Sequence, residues 1–209
     1  MVRVRGAEIT SPTPAAMTKQ GVCYFPSDRV AEGLALARPV RENVSMAALD
    51  LPGFSRHRIL QRRSERRIVQ GIVEKLSLRP PLIERAVASF SGSNRQKILW
   101  ARGLTRYIAV YLFDEPTVGI DVGAKIEIYE LMKALVATGV AIVLVSSNLP
   151  EVLNLSHRLY VMHRSRMAAE LTCADISEPA VLSHFFREQQ AAGVATALAT
   201  NDPPTHAQH

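Results

Sequence analysis

The stretch VYLFDEPTVGIDVGAK, residues 110–125, decides the fold. A continuous apolar run ends in two adjacent carboxylates, Asp114 and Glu115, and a proline follows. Such a run is typical of a strand covered on both faces, as in a parallel sheet. Two neighbouring carboxylates at a buried strand end repel each other and lose water, and a bound divalent cation with a polarised water offsets that cost. The alternative is that both acids cap the helix that follows.

The chain around this stretch predicts a βαβ unit. Residues 108–113 and 140–145 are continuous apolar runs, and we expect both strands to be covered on both faces. The residues between them that recur at helical spacing are Ile128, Leu131, Met132, Leu135 and Val136. Ligands of doubly wound sheets bind beyond the carboxyl ends of the strands, which is where Asp114 and Glu115 lie.

Apolar patterning predicts further elements on both sides of this unit. The predicted strands are 2–10, 22–25, 158–163 and 166–171, and the predicted helices include 55–76, 94–106 and 178–187. Six arginines crowd the helix predicted from Ser55, which indicates either a solvated face or contact with a partner's acidic surface. From Glu188 the composition predicts a disordered tail.

Composition limits the class of protein. The 209 residues are 47% hydrophobic and carry a net charge of +6, which suits a globular domain with an acidic partner. No apolar run predicts a membrane span or a secretion signal. Cys23 and Cys173 fit no metal or redox spacing, and we expect two buried or half-buried thiols.

Three other segments suit a phosphate ligand. SFSGSNRQK, residues 89–97, is a turn of small residues that opens a helix, and serine hydroxyls, glycine amides and a helix N-terminus together form an anion site. GID, residues 119–121, follows the paired acids closely. VLVSSN, residues 143–148, ends the next strand with polar residues at the same predicted edge.

These segments, in this order, resemble the nucleotide-binding domain of ABC transporters. FSGSNRQ resembles the signature motif, YLFDEP the Walker B strand, GID the D-loop and SSN the strand before the H-loop. The resemblance is closer to the second ATPase half of the ribose/galactose/xylose-type sugar importers, and it extends from Arg3 to Phe186. It implies an α/β, P-loop NTPase-like ABC ATPase core of three layers, with a mostly parallel sheet and a helical subdomain.

The resemblance also implies roles for individual residues. Asp114 and Ser27 would contact Mg²⁺, Glu115 would be the general base, and Asn148 occupies the position of the switch histidine. The residues implied to bind ATP are Ser91, Gly92, Ser93, Asn94, Gln96 and Asp121. Arg29 and Arg41 would pair with acids of a permease or stay solvated.

The chain departs from the family pattern in several places. It contains no GxxxxGK[ST] P-loop, so we expect an N-terminally truncated fragment that lacks the Walker A strand, loop and helix. A middle strand of the sheet would then be missing, which would leave an exposed apolar edge. Ser93 replaces a glycine of the signature, Ser27 stands where the subfamily commonly has an acid, and Asn148 cannot carry a proton in turnover.

The implied organisation has four parts. Residues 1–37 would hold the arm strands and the Q-loop region, 38–106 the helical subdomain with the signature, 107–187 the distal core, and 188–209 the tail. The implied function is that of a fragment of the ATP-hydrolysing subunit of a bacterial sugar importer, using ATP and Mg²⁺. Its partners would be permease subunits, another ABC nucleotide-binding half and, indirectly, a sugar-binding protein, at the cytoplasmic face of the cell membrane.

One alternative is a non-catalytic ABC module that lends its signature to a partner's ATP site. A nucleic-acid-linked ABC ATPase is disfavoured because no coiled-coil insertion or paired half with an interdomain linker is present in the sequence.

Overall fold

The computed structural model describes residues 2–4, 6–10 and 12–184. The chain divides into two compact units, with the boundary between Ser147 and Asn148. The predicted tail from Glu188 lies outside the described residues. The described helices are too short or too polar to span a bilayer.

The first unit contains most of the secondary structure. Its strands are β1 (Val2–Val4), β2 (Ala7–Ile9), β3 (Val22–Phe25), β4 (Ser55–Arg56), β5 (Ile59–Leu60), β6 (Val110–Asp114) and β7 (Ala141–Val145). Its α-helices are α1 (Pro14–Lys19), α2 (Val40–Ser45), α3 (Arg62–Lys75), α4 (Gly92–Gly103) and α5 (Val122–Ala137). Short turns of π-helix at Arg29–Gly33 and of 3₁₀-helix at Met46–Ala48 and Val87–Ser89 connect them.

The second unit contains a hairpin between two helices. Helix α6 spans Leu149–Leu155, β8 spans Arg158–His163, β9 spans Arg166–Thr172, and α7 is described from 178 to 184. Strands β8 and β9 pair antiparallel around a turn in which Arg164 and Ser165 have positive φ. The sequence predicted both strands and this turn.

Strand β6 is the middle strand of a three-stranded parallel sheet with the order β3-β6-β7. Phe25 lies opposite Phe113, and Asp114 lies opposite Val145. The carboxyl ends of all three strands therefore meet at one edge. This confirms the predicted βαβ unit, with α5 as its crossover helix.

An aromatic cluster joins helix α4 to this sheet. The ring of Trp100 lies 4.4 Å from that of Phe113, which lies 5.0 Å from the ring of Phe25. Gly103 allows this approach, because a Cβ there would lie 2.8 Å from Cζ of Phe25 and 3.0 Å from Cε1 of Tyr111. The helix that follows the signature segment is thus fixed to the strand that carries the paired acids.

The expectation that both apolar runs are covered on both faces holds only in part for β6, in which buried and half-buried residues alternate, and it fails for β7. In β6, Tyr111 and Phe113 are buried, whereas in β7 Val143 is 50% and Val145 56% exposed. Among the described residues β6 is the only strand that pairs with β7, so β7 is an edge strand with an uncovered apolar side. The prediction that residues 140–145 are covered on both faces was therefore wrong.

The helix predicted from Ser55 to Leu76 forms only from Arg62, and a hairpin replaces its first residues. His57 and Arg58 have φ of 52° and 65°, which closes a two-residue turn between β4 and β5. After this turn, Gln61 N donates a hydrogen bond to Phe54 O at 2.8 Å, and α3 begins at the next residue. The helical spacing of Ile59 and Leu60 was coincidental.

Arg41 is a core residue of the helical part and not a free surface charge. It is 5% exposed and donates from Nη1 to Oε1 of Glu65 at 3.0 Å and from Nε to Oε1 of Glu84 at 3.1 Å. Burial favours a raised pKa of Glu84, but hydrogen bonds from Arg41 and Arg66 lower it below its usual value. The suggestion that Arg41 is solvated or pairs with a permease is therefore wrong.

The two cysteines differ from each other. Cys23 is half-buried, and burial raises the pKa of its thiol to about 11, so it stays protonated at neutral pH. Cys173 is exposed, which corrects the expectation of a buried or half-buried thiol.

We predict opposite effects of alanine at two helical glycines. Gly103→Ala forces a methyl group against the Phe25 and Tyr111 rings and should destabilise the fold by about 1–3 kcal/mol. Gly71→Ala in α3 meets no atom within 4 Å and should stabilise it by up to about 1 kcal/mol. Guanidinium unfolding midpoints of both variants measure this, and a Gly103→Ala protein as stable as the wild type would contradict the packing.

Candidate functional site

The candidate site lies where β3, β6 and β7 end together. Asp114 is the last residue of β6, and the hydroxyl of Tyr24 on β3 donates to its Oδ2 at 3.0 Å. Burial, this hydrogen bond and the negative charge of Asp114 raise the pKa of Tyr24. The Oδ1 atom accepts no hydrogen bond from a described residue, so one oxygen of this carboxylate stays available.

Glu115 has a backbone conformation that side-chain-bearing residues rarely adopt. Its φ is 45°, in the left-handed region, where such residues cost about 1–3 kcal/mol. Its N–H donates to Val145 O at 2.8 Å, and its Oε1 accepts from Ser147 N at 2.7 Å. The turn thus holds the Glu115 carboxylate at the end of β7.

The two adjacent acids are therefore held by opposite neighbours. Asp114 is bound by a side chain of β3, and Glu115 by the backbone that follows β7. Each carboxylate accepts a hydrogen bond, which favours its charged form and offsets part of the cost expected from two adjacent acids. Neither acid caps a helix, because α5 begins at Val122 and its N-cap is Asp121, so the helix-cap alternative is wrong.

The segment between Glu115 and α5 forms a compact loop, which we call the acidic-strand loop, residues 116–121. Gly119 has φ of 68°, which a glycine adopts without strain. Ile120 anchors the loop with 8% exposure, and Asp121 Oδ1 accepts from Ala124 N at 3.0 Å. Asp121 thus has a structural role as N-cap in addition to the implied role at ATP.

The small-residue turn at Ser91 begins α4 as predicted. Ser91 Oγ accepts from Nδ2 of Asn94 at 3.0 Å and lies 3.2 Å from Oγ of Ser93. The Asn94 amide also donates to Arg79 O at 2.9 Å and accepts from Arg79 N at 3.3 Å, so it fixes the preceding loop. Gln96 is 3% exposed. Ser91, Gly92 and Ser93 present polar groups at the open helix start.

Arg29 connects three of these segments, a role that no pattern in the sequence indicated. Its Nη1 donates to Val118 O at 2.9 Å and its Nη2 to Gly119 O at 3.4 Å. The Cβ position of Gly92 lies 3.3 Å from the same Nη2, so a larger residue at 92 would displace the guanidinium. Burial, followed by the positive charge of Arg95, lowers the pKa of Arg29. Arg29 is thus half-buried and engaged within the chain.

Two of the remaining implied residues, Ser27 and Asn148, follow strands β3 and β7 in the sequence. Ser27 is exposed after β3, and its hydroxyl makes no hydrogen bond to a described residue. Asn148 belongs to the second unit, where its Oδ1 accepts from Glu151 N at 3.3 Å as N-cap of α6.

The donor set suits Mg²⁺ bound together with a phosphate ligand. The described residues contain no cluster of three or more His, Cys, Asp or Glu that would hold a metal alone. Mg²⁺ usually binds through one or two carboxylates, waters and substrate phosphates, and Asp114 has a carboxylate oxygen without a hydrogen-bond donor. The residues present therefore fit a magnesium ion that arrives with its substrate.

Comparison with known proteins identifies relatives over most of the chain. It is 41% identical over 182 residues to a putative ribose/galactose/methyl galactoside import ATP-binding protein 2 of Burkholderia cenocepacia, covering 87% of this chain and 35% of that protein. It is 37% identical over 202 residues to a ribose import ATP-binding protein of Burkholderia ambifaria, covering 97% and 38%. The chain thus spans about a third of the length of these relatives. No family model matches the chain.

Solved structures with the same fold are ATP-binding cassettes of ABC transporters. One in its ADP conformation superposes with a TM-score of 0.66 at 22% identity, covering 84% of this chain and 72% of that one. A nucleotide-free cassette superposes with a TM-score of 0.68 at 23% identity, covering 86% and 74%. The fold is that of an ABC-type ATPase cassette.

We predict that Arg29→Ala loosens the acidic-strand loop. Charge-assisted hydrogen bonds contribute about 1.5–3 kcal/mol, so amide hydrogen exchange across residues 116–121 should accelerate about tenfold or more. Arg29→Lys should give an intermediate rate, because an ammonium group cannot fork onto two carbonyls as a guanidinium does.

Arg106→Ala is the matched control. Arg106 donates to Ala47 O at 2.6 Å and pairs with Asp50, and it makes no hydrogen bond to residues 116–121, so its loss should leave exchange there unchanged. Equal exchange rates in the wild type and Arg29→Ala would refute the role of Arg29.

Proposed function

Because the chain is a homologue of the ATP-binding proteins of bacterial ribose/galactose import ABC transporters, we propose that it contributes part of an ATP-hydrolysing site that drives sugar import. The observation that carries the proposal is the pair of acids at the end of β6. Asp114 keeps one carboxylate oxygen without a donor, and Glu115 is held in a strained backbone conformation with Oε1 fixed by Ser147 N. Strained residues cluster at functional sites.

The two acids take different roles in this proposal. Asp114 holds the magnesium ion of the nucleotide, which neutralises charge on the phosphates. Glu115 orients a water molecule and accepts its proton. The hydrogen bond from Ser147 N occupies Oε1 and restrains the side chain, so Oε2 is the atom that faces the water.

The start of α4 supplies the second part of the site. The N–H groups of Gly92 and Ser93 and the hydroxyls of Ser91 and Ser93 bind the γ-phosphate of a nucleotide that is held by another half. Because no GxxxxGK[ST] occurs in these 209 residues, the main phosphate cradle belongs to residues outside this sequence. Asn94 acts by holding the loop at Arg79 in place. Contact of Gln96 with ATP and a catalytic role of Asn148 at the position of the switch histidine stay predictions.

The family implies membrane-embedded permease partners. We propose that the chain works at the cytoplasmic face of the cell membrane, with permease subunits and a second ABC half as direct partners and a sugar-binding protein as an indirect one. The boundaries at residues 37, 106 and 187 belong to the same proposal.

A second candidate is a module without catalysis of its own that lends its signature to a partner's ATP site. The substitutions at the site favour it: Ser93 adds a side chain where the signature has glycine, and Asn148 replaces a proton-carrying histidine. In that case the partner's acids perform the hydrolysis, and Glu115 has no influence on the rate.

We expect the 209-residue chain by itself to bind Mg-ATP in the millimolar range or more weakly. Each charge-assisted hydrogen bond to a phosphate contributes about 1.5–3 kcal/mol. This sequence lacks the P-loop that would donate several of these hydrogen bonds, so the affinity should be low. Calorimetric titration with Mg-ATP measures the affinity, and a micromolar Kd would contradict the idea that the main cradle lies elsewhere.

Two substitutions test the acids in a protein whose P-loop half completes the site. Glu115→Gln should slow single-turnover hydrolysis about 10²–10⁴-fold while nucleotide binding stays nearly unchanged, because the amide oxygen still accepts from Ser147 N but is no longer basic. Asp114→Asn should weaken Mg-ATP binding as well, because it removes charge beside the metal.

The opposing site must be disabled in this assay, since a faster second site would hide the effect. Lys133→Gln is the control, because this exposed side chain of α5 pairs with Glu130 and contacts neither carboxylate. If Glu115→Gln hydrolyses ATP as fast as the wild type at this site, Glu115 is not the base and the non-catalytic candidate is favoured.

A further inference from the structure

The hairpin of β4 and β5 and the first turns of α3 form a strongly basic surface that the proposed site does not use. We call this segment, residues 55–67, the basic hairpin. It contains six arginines, Arg56, Arg58, Arg62, Arg63, Arg66 and Arg67, and a single acid, Glu65. The segment therefore carries most of the net charge of +6 of the whole chain.

The acid does not offset these charges at the surface. Glu65 is 2% exposed and is bound by the buried Arg41 and by Ser45 Oγ at 2.7 Å. Arg66 pairs with Glu84 at 2.9 Å, and Arg62 lies 3.7 Å from Oε2 of Glu65. The arginines that form no ion pair with a described residue are Arg56, Arg58, Arg63 and Arg67.

The position of the charges is unfavourable for the isolated fold. Arg62 and Arg63 lie in the first turn of α3, where the helix macrodipole is positive and repels cations. The N-cap residue, Gln61, makes no side-chain hydrogen bond to the helix start. An anionic ligand at this surface would remove both disadvantages.

The hairpin also exposes apolar side chains. Residues 56–60 are all exposed, with Ile59 at 68% and Leu60 at 39%. The two-residue turn at His57 and Arg58 makes the segment a short exposed ribbon that follows the buried Phe54. Two apolar side chains flanked by arginines are thus presented on one exposed element.

We propose that the basic hairpin docks on an anionic phospholipid surface. The arginines contact the headgroup phosphates, and Ile59 and Leu60 enter the boundary between headgroups and acyl chains. An acidic protein surface would account for the arginines but not for the two exposed apolar side chains between Arg58 and Arg62, whereas an anionic membrane accounts for both. A membrane needs only a few apolar residues together with clustered positive charge.

The test measures flotation of the 209-residue chain with lipid vesicles on a density gradient, in which aggregated protein sinks and bound protein floats. Vesicles of phosphatidylcholine with about 30% phosphatidylglycerol should bind the chain, and vesicles of pure phosphatidylcholine should not. Raising the salt concentration to about 0.5 M should weaken binding, because it screens the headgroup charge.

The charge variant replaces the four unpaired arginines (Arg56→Gln, Arg58→Gln, Arg63→Gln and Arg67→Gln). Each arginine near an anionic surface strengthens binding about fivefold, so the four changes together should weaken it at least a hundredfold. The control removes the same charge at exposed positions elsewhere (Lys19→Gln, Lys75→Gln, Arg164→Gln and Arg166→Gln) and should lose much less.

The apolar variant, Ile59→Ser with Leu60→Ser, separates insertion from charge attraction alone. It should weaken vesicle binding about tenfold while circular dichroism and the unfolding midpoint stay near those of the wild type, because both side chains are already exposed.

Three results would overturn the proposal: absence of flotation with anionic vesicles, equal loss in the charge variant and its control, or an apolar variant that binds like the wild type. Binding to polyglutamate as strong as binding to vesicles would also overturn it, in favour of an acidic protein partner. None of these measurements depends on ATP, so the inference stands or falls separately from the proposed function.

Discussion

The pairing of β6 between β3 and β7 is the constraint on which the rest of the first unit depends. Because parallel strands in register end together, Asp114 comes within reach of Tyr24 on one side, and Glu115 within reach of Ser147 on the other. The same strand carries Phe113, against which Trp100 packs, so α4 and its serine-rich start are fixed relative to the acids. A shift in the register of β6 would separate all of these groups at once.

The turn at Glu115 shows what this arrangement requires locally. Most side chains avoid a φ of 45°, yet here the conformation lets the Glu115 N–H bond to Val145 O while its carboxylate reaches Ser147 N. Two hydrogen bonds, one of them charge-assisted, offset a strain of about 1–3 kcal/mol. Glycine would relax the backbone but would remove the carboxylate, so the strain follows from having an acid at that position.

Much of this structure could be predicted from the sequence, because hydrophobic periodicity and strand ends are local signals. The strand at 22–25, the helix after Ser91 and the hairpin of β8 and β9 all lie where the pattern indicated. The hairpin at 55–60 was missed because its turn, His57–Arg58, has neither glycine nor asparagine to mark it. The apolar run at 140–145 did not reveal the exposure of β7, which agrees instead with the exposed edge expected from the missing strand, because the cover of a strand depends on segments far away in the sequence.

Side-chain partners were harder to predict than elements. Arg41 and Arg29 look like other surface arginines in the sequence, and their roles follow from contacts with Glu65 and with Val118, which lie far along the chain. The paired acids were identifiable because both residue type and position are unusual. The hydrogen-bond donor to each acid depends on which strands lie beside β6, and the sequence of β6 does not predict the order of strands in the sheet.

The hydrogen bonds of Arg29 couple two segments of the first unit, and this coupling affects the binding of any ligand to either segment. Its guanidinium ties the π-helical turn Arg29–Gly33 to the carbonyls of Val118 and Gly119 and lies against Gly92. A molecule that prefers one position of that turn must also bias the loop, and a nucleotide that prefers one position of the loop must bias the turn by the same free energy. The turn and the loop are thus coupled through a single guanidinium.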